Sequence, residues 1–404
     1  MPDGTDAIAV RVVSRIADLP AVEWDSLAGA NPFVSHAFLS ALEESGSATQ
    51  KTGWLPQHLV IAGRDERLIG AVPLYLKSHS YGEYVFDWGW ADAYERAGGS
   101  YYPKLQACVP FTPVTGPRLL VHPEAEREAV AGALVAGLLE LARQTRVSSL
   151  HVTFPTEGEW RALGEAGFLR RTGLQYHWEN RGYDSFEDFL ASLASRKRKA
   201  IRKERRHVAD SGVRLRALTG REIAPSHWDV FYRCYRATSD KKWGPAYLTR
   251  AFFHLLGETM GERVVLIVAE FEGEPVGAAL NLVGGGTGDS HEGDADAGGT
   301  LYGRNWGALG RFRFLHFEAC YYQAIDYAIR HRLARVEAGA QGEHKIQRGY
   351  LPATTYSAHW IRDPALRQAV ARFLERERRA IGEEQRILET FAPFRKDGGA
   401  SSAN

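Results

Sequence analysis

Strand patterns alternate with amphipathic helix patterns along nearly the whole chain, and the second half repeats the order of the first. With a length of 404 residues, these observations predict a mixed α/β (α+β) fold built from two copies of one unit. One hydrophobic core does not ordinarily grow to this length, so two domains are expected. The repeat is plainest in two hairpins. HLVIAGRDERLIGAVPLYL, from His58, reads as apolar strand, polar turn, then a strand entered through Gly-Ala; RVVLIVAEFEGEPVGAALNLV, from Arg263, does the same around Glu272-Gly273. The predicted domains are 1–180 and 181–392, with a disordered tail over 393–404.

In the first half, residues 8–13 are a short β-rich run, and Ser35 is placed to cap a helix over HAFLSALEES. Apolar residues at helical spacing predict a helix over 124–146, followed by the strand SSLHVTF and the short helix GEWRALGEAGF. Between the hairpin and that helix, residues 84–120 (YVFDWGWADAYERAGGSYYPKLQACVPFTPVTGPRLL) follow no regular period. So many aromatics argue against disorder. A long irregular segment of this kind lines a cleft or covers a core; as a cleft wall it offers Asp87, Trp88, Trp90, Tyr101 and Lys104.

In the second half, SFEDFLASLASRKRKAIRKERRHVADSG reads as one long helix capped by Asp184 or Ser185, with Phe186, Phe189, Leu190, Leu193, Ala200, Ile201 and Val208 on one stripe. VRLRAL is a strand, HWDVFYRCYRAT and PAYLTRAFFHLLGETM are helices, and TLYGRNWGAL is a strand. FLHFEACYYQAIDYAIRH is a helix, LARVEAGA a strand, and a last helix runs over 364–389. The glycine-rich acidic stretch 284–299 is a loop; Asp289, Asp294 and Asp296 lack the spacing and terminal Glu of an EF-hand.

Composition narrows the function classes. Hydrophobic content of 44% and charged content of 25% are those of a soluble globular protein. A net charge of +1 gives no global field for polyanions, so anion binding requires a local patch. Cys108, Cys234 and Cys320 are far apart and form neither a disulfide framework nor a zinc pattern, which fits a reducing compartment. The N-terminus does not read as a signal peptide, and no stretch reaches the ~18–20 apolar residues of a membrane span. The expected location is the cytoplasm, with no integral membrane segment.

Two stretches carry chemistry. ASRKRKAIRKERRH holds eight Lys or Arg between 196 and 206 against one Glu. Like charges at i,i+4 repel by a few tenths of a kcal/mol per pair, so Arg196, Lys197, Arg198, Lys199, Arg202 and Lys203 point to a phosphate-rich partner: tRNA, a nucleotide-linked substrate or an anionic membrane surface. Without aromatics among the charges, backbone contact is the expected mode. VEAGAQGEHKIQRGYLP, residues 336–352, crowds reactive groups between glycines. Glu343 and His344 are candidate bases near neutral pH, and Glu337 is a rival base if VEAGA is a strand. Lys345 and Arg348 are placed to stabilise an oxyanion or hold a phosphate. Tyr302, Arg304 and Trp306 alternate on one strand face, Glu318 lies one turn into the next helix, and Trp243 follows Lys241-Lys242 as a cleft wall. One His beside one Glu makes a poor metal site, and none is expected. No Gly-x-Ser-x-Gly elbow or Cys near a His offers a covalent nucleophile, so direct attack by an amine is the expected route.

PFTPVTGPRLL, SRKRKAIRKER, LYGRNWG, LHFEACYYQAIDYAI and GAQGEHKIQRGYLP together resemble the FemAB-like family, relatives of the FemABX aminoacyltransferases with the GNAT fold, over roughly residues 10–390. The resemblance implies tandem GNAT-like acyltransferase domains with mixed central sheets. It implies transfer of an acyl or aminoacyl group to an amine-bearing small-molecule or precursor acceptor. In such a sheet the strand before the GEHK loop splays from the central strand and exposes backbone to the acyl group. The sequence departs from acetyl-CoA enzymes of this fold: NWGALGRFRFLHFEAC lacks their Q/R-x-x-G-x-G/A turn, which leaves Arg311 and Arg313 to hold phosphate by charge. No tightly bound cofactor is expected. Aminoacyl-tRNA is the favoured donor and acyl-CoA the alternative. A reading of another class is a non-catalytic protein that uses the basic helix to bind RNA or an anionic surface.

Overall fold

The structure is a computed structural model, and it describes residues 10–242, 246–285, 298–339 and 342–395. The sequence places one domain cut near residue 180. The chain instead forms two compact units of three stretches each: Met1–Gly173, Tyr247–Met260 and Thr354–Gly382 in the first, and Leu174–Ala246, Gly261–Ala353 and Glu383–Asn404 in the second. The chain changes unit inside two long strands, Leu169–Glu179 and Leu351–Ile361. Each unit therefore takes a strand from the other half of the sequence.

In the first unit, the strands Leu351–Ile361, Ser149–Thr153, Lys104–Ala107, Leu74–Lys77 and Trp54–Pro56 lie in that order. Ser149–Thr153 and Lys104–Ala107 are parallel, with Gln106 opposite His151. Leu351–Ile361 is antiparallel to Ser149–Thr153, with His359 opposite His151. One face of this sheet carries Leu74, Leu105, Ala107, Leu150, Val152 and Ala358 against Val130, Leu134, Leu138 and Ala142 of the helix Arg127–Gln144. Strand alternation sends Tyr75, Lys77, Lys104, Gln106, Ser149, His151, Thr153, Ser357 and His359 to the other face, and all are buried. The four strands Val10–Val13, His58–Ala62, Leu68–Val72 and Leu120–Val121 form a second sheet. Ser35 caps the helix His36–Glu44, its Oγ accepting from Phe38 N at 3.3 Å.

The 84–120 segment is more regular than its sequence predicts. It holds the helix Trp88–Arg96 and the central strand Lys104–Ala107. The strand KLQA was hidden because two of its four residues are polar, and both are buried.

The second unit orders its strands Arg214–Thr219, Val264–Phe271, Glu274–Gly284, Thr300–Ala308, Arg335–Glu337 and Leu169–Glu179. The first turn falls on the expected Glu272-Gly273, with φ of 53° and 84° at the two positions, the geometry of a two-residue hairpin loop. Helices cover one face: the core joins Trp178, Leu301 and Val336 of the sheet to Tyr321, Ala324, Ile325 and Ala328 of the run Leu315–Arg330. That run contains a π-turn over Glu318–Tyr322. The helix Pro225–Lys242 lies tight against Thr300–Ala308: a Cβ on Gly307 would fall 2.0 Å from the carbonyl of Cys234, so only glycine fits there.

The predicted long helix from Ser185 is two helices, Phe186–Ser192 and Ser195–Asp210. The break has a cause: Leu193 is extended and bridges Phe394, Ala194 N donates to Pro393 O at 2.8 Å, and Arg395 N donates to Ser192 O at 2.9 Å. The C-terminal segment takes backbone bonds that a continuous helix would have kept. Ser185 is the cap, accepting from Asp188 N at 3.1 Å. Among the described residues, no helix is long and apolar enough to cross a membrane.

Candidate functional site

The second unit contains an opening in its sheet. Thr300–Ala308 and Arg335–Glu337 pair in parallel at only three positions, the last being Tyr302 opposite Glu337. Beyond it the longer strand continues to Ala308 while the shorter one ends. At the point of divergence a Cβ on Gly303 would lie 3.1 Å from Glu337 O, so the backbones approach closely just before they part. Glu337 also faces His177 of Leu169–Glu179 across the antiparallel pair. Register therefore sets Tyr302, Glu337 and His177 in one row across three strands, all buried. His177 Nε2 lies 3.8 Å from Glu337 Oε1. Burial pushes the His177 pKa down to about 3, helped by the nearby Arg335 and Lys345 charges, so its imidazole is neutral at physiological pH. The row is a buried carboxylate beside a neutral imidazole, where a sheet opens.

The loop behind this row has a division of labour that the sequence does not show. Glu343 and His344 are exposed. His344 Nε2 lies 3.0 Å from Tyr321 OH, and partial burial together with Arg348 and Lys345 lowers its pKa. Lys345 is buried, and its Nζ donates to the carbonyls of Ala338 at 2.7 Å and Gly339 at 2.9 Å. Arg348 is buried too. It donates to both oxygens of Glu204 at 2.9 and 3.0 Å, to Tyr322 OH at 3.0 Å and to His344 O at 2.8 Å, and its guanidinium sits 3.6 Å from the centroid of the Phe317 ring. These bonds tie the loop to the basic helix and the π-turn. Glu318, in the π-turn, is buried against Arg205 at 3.1 Å and accepts from Gln323 Nε2 at 2.8 Å.

Tyr302 and Trp306 do not share a face. The pairing with Glu274–Gly284 shifts register between Ala279 and Asn281, so an extra residue is accommodated between Gly303 and Trp306. Trp306 then packs with the helical core that holds Leu301, while Tyr302 stays in the row with Glu337. Arg304 is half-buried. Arg311 and Arg313 are exposed just past the strand, Arg313 stacking 4.6 Å from the centroid of the Phe314 ring. Trp243, Gln341 and the acidic residues Asp289, Asp294 and Asp296 lie outside the described residues.

The basic helix Ser195–Asp210 spends part of its charge internally. Lys197 donates to Gln347 at 2.8 Å, Arg198 reaches Ala191 O at 3.5 Å, Arg202 pairs with Glu187 at 2.5 Å, and Arg205 pairs with Glu318. Arg196, Lys199, Lys203 and Arg206 are exposed, with no partner among the described residues. Their spacing of three, four and three puts them on one stripe of the helix, about 15 Å long, opposite the buried Ile201 and Val208.

The first unit holds a second concentration of titratable groups. Lys104 Nζ donates to Asp87 at 2.5 Å, Glu83 at 2.6 Å and Ser80 Oγ at 2.8 Å. Tyr101 OH donates to Asp87 at 2.8 Å. Lys77 lies 3.6 Å from Glu83 and 3.4 Å from the centroid of the Trp54 ring. His151 Nδ1 and His359 Nδ1 are 2.7 Å apart, and their Nε2 atoms meet Ser149 Oγ at 2.8 Å and Ser357 Oγ at 3.0 Å. Burial opposes the charge on Asp87, yet Lys104 holds it well below the usual carboxylate range; burial raises Glu83 against the same lysine. Burial lowers Lys77 to about 7 despite Glu83, with Lys104 adding to the fall. Of the residues predicted in this segment, Asp87, Tyr101 and Lys104 come together here. Trp90 covers the histidines, its ring 5.0 Å from that of His359, whereas Trp88 is exposed beside Phe86. Sequence reasoning missed Lys77, Glu83, His151 and His359. The available signal was a histidine at the centre of two apolar strand runs, LHVT and SAHW. Among the described residues, no group of three or more His, Cys, Asp or Glu is placed to hold a metal ion.

Both units thus carry a parallel strand pair followed by an antiparallel strand from the other half of the sequence, with a buried polar row across the three. This is a tandem GNAT-like fold with mixed sheets. The C-terminal domain of a putative lysylphosphatidylglycerol synthetase from Agrobacterium fabrum matches it at a TM-score of 0.51, with 8% identity over 88% of this chain and 95% of that one. A tandem GNAT protein from the clavulanic acid biosynthesis pathway is similar at 0.46, with 16% identity over 88% and 99%. L-PGS from Bacillus licheniformis is similar at 0.48, with 10% identity over 83% and 95%. A comparison with curated proteins gives no match. The FemAB-like family, described by peptidoglycan biosynthesis/recognition, matches residues 15–396. The chain belongs to that family, and family and fold point to an acyltransferase.

Proposed function

We propose that the protein is an N-acyltransferase of the aminoacyltransferase type, in which an amine attacks an activated acyl or aminoacyl ester directly at the opening of the second unit. The observation that carries this reading is the row Tyr302–Glu337–His177, placed where the parallel pair stops. An amine attacks only after losing its proton, and Glu337 is the buried group at the opening that accepts one. The neutral His177 adds no positive charge beside the Glu337 carboxyl. In the reaction a C–N bond forms and the ester C–O bond breaks, and the proton taken from the amine leaves on the carrier's hydroxyl. Glu343 and His344, exposed on the loop, are reassigned from base to rim.

The donor is an aminoacyl-tRNA, held through its phosphates along Arg196, Lys199, Lys203 and Arg206. A straight stripe of cations without aromatics suits backbone contact and not base readout. The test is binding of the purified protein to charged tRNA, uncharged tRNA and acetyl-CoA at two salt concentrations. The expected result is salt-sensitive binding that prefers charged tRNA and is lost when the four stripe residues are changed to Gln. Binding of acetyl-CoA alone would move the donor to acyl-CoA and the phosphate site to Arg311 and Arg313. Binding of uncharged tRNA equally well, with no transfer to any amine, would favour the non-catalytic reading.

A further inference from the structure

The aromatic side chains between the basic helix and the GEHK loop have no part in the proposed acyl transfer, and they form one run. The His207 ring meets that of Phe314 at 5.5 Å, Phe314 stacks on Phe317 at 6.2 Å and 29°, and Phe317 meets His344 at 5.5 Å and 36°. Packing accounts for the two in the middle, which are half-buried. It does not account for the ends, because His207 and His344 are exposed. His344 is nonetheless fixed. Its Nε2 lies 3.0 Å from Tyr321 OH, and the rings it meets, His316, Phe317 and Tyr321, all come from the run Leu315–Arg330. The rest of its imidazole faces solvent. Partial burial, with Arg348 and Lys345, lowers its pKa, so the ring is uncharged at physiological pH and can stack without desolvating a cation.

The two ends of the run lie at two features of the second unit. His207 is one turn beyond Lys203, where the cation stripe of the helix Ser195–Asp210 ends. His344 precedes Lys345, whose Nζ bonds the first two carbonyls past Glu337. The run therefore leads from the stripe to the loop at the strand opening. Its charge suits an anion. Arg313 lies 4.6 Å from the Phe314 centroid and Arg348 3.6 Å from that of Phe317, while Glu204 and Glu318 are already paired with Arg348 and Arg205. Glu343 is the exposed acid of the loop. Rings flanked by guanidinium groups stack a nucleobase and attract its phosphate, and every base has a π-face, so the contact tolerates any sequence. Bases in a duplex are already stacked, so those that fit here are unpaired.

We propose that the run from His207 to His344 is a stacking track for the unpaired 3′ end of the RNA donor, with the cation stripe on the duplex phosphates and His344 against the last base. This rests on the aminoacyl-tRNA reading above and names the part of the donor that the second unit recognises.

The test uses the full chain and an uncharged acceptor-arm RNA hairpin, either intact with 2-aminopurine as its last unpaired base or trimmed of its unpaired 3′ nucleotides. On the wild-type chain, trimming should weaken binding about 10-fold, and the 2-aminopurine emission of the intact hairpin should be quenched on binding. His344→Leu should weaken the intact hairpin by about 10-fold, leave the trimmed one unchanged and abolish the quench. His344→Phe loses the bond to Tyr321 OH but keeps a ring, so it should retain both affinity and quench. A quench that survives His344→Leu overturns the proposal. So does an equal loss of affinity for both hairpins, which a general effect on charge or folding would give. If neither hairpin binds while adenosine 3′,5′-bisphosphate does, the track and the RNA-donor reading are overturned together. The expected pattern in a chain that transfers no aminoacyl group from charged tRNA to any amine overturns the acyl-transfer reading and leaves the track standing.

Discussion

The two units set a polar row at the same topological place and close it differently. In the first, Gln106, His151 and His359 span a parallel pair and its antiparallel neighbour; in the second, Tyr302, Glu337 and His177 do. In the first row the histidines bond each other and two serines, and Tyr101, Asp87 and Lys104 continue the network, while Gln106 Oε1 and Asp87 Oδ1 have no hydrogen-bond partner among the described residues. In the second, the nearest approach between base and imidazole is 3.8 Å, longer than a hydrogen bond, and the backbone beyond it diverges. A buried polar row can therefore be structural glue or a reaction site. What separates the two here is whether the imidazole is hydrogen-bonded to its neighbour in the row.

The largest effect expected from this contrast is on stability, at the two buried lysines. Lys104→Met leaves Glu83 and Asp87 buried without their ammonium and should cost about 3–5 kcal/mol. Lys345→Met leaves only two carbonyls without a donor and should cost about 1–3 kcal/mol. Urea unfolding followed by tryptophan fluorescence measures both. Equal costs would mean that the first network is not the tighter of the two.

Next in size is the effect on rate. Glu337→Gln keeps the shape of the row and removes its base, so acyl transfer should fall by about 10²-fold or more. His359→Gln in the first unit should leave the rate within a few-fold while lowering the urea midpoint. A rate loss in His359→Gln as large as in Glu337→Gln would break the assignment of glue to one row and chemistry to the other.

The sequence made most of the architecture legible because alternation and helical spacing are local. The hairpin at Glu272-Gly273, the Ser35 cap and the last helix, Pro364–Glu389, follow from neighbours a few residues apart. The misreadings share a cause: each depends on a partner distant in sequence. The helix break at Leu193 needs Phe394, and the opposite facing of Tyr302 and Trp306 needs a register shift against Asn281. The exchange of strands between units cannot be seen in either half alone. For the candidate site, residue type singled out the loop after Arg335–Glu337 as a group. It did not separate Lys345 and Arg348, spent on backbone and Glu204, from Glu337, because burial and bonding partners decide that difference.

The smallest effect is the most discriminating, because it counts histidines. Burial holds His151 and His177 down to about 3 and His359 well below its ordinary value, so all three fold neutral. The unfolded chain takes up protons near pH 6.5 while the folded chain does not, so stability is lost as pH falls below about 6.5. One unit lower, each such histidine should cost about 1.4 kcal/mol. The first unit holds two of these three and the second one, and His177→Gln should remove about 1.4 kcal/mol of the acid-dependent loss measured from urea midpoints between pH 7.5 and 5.5. Pairing enters here as well. Only one proton fits on the line between His151 Nδ1 and His359 Nδ1, 2.7 Å apart, so the pair keeps that bond when neutral or carrying one added proton and loses it when both rings are cations. His359→Gln should therefore flatten the acid slope more than His177→Gln does. A slope that flattens equally in both variants would mean that the pair titrates as two independent histidines, and that the row in the first unit is less closed than its hydrogen bonds imply.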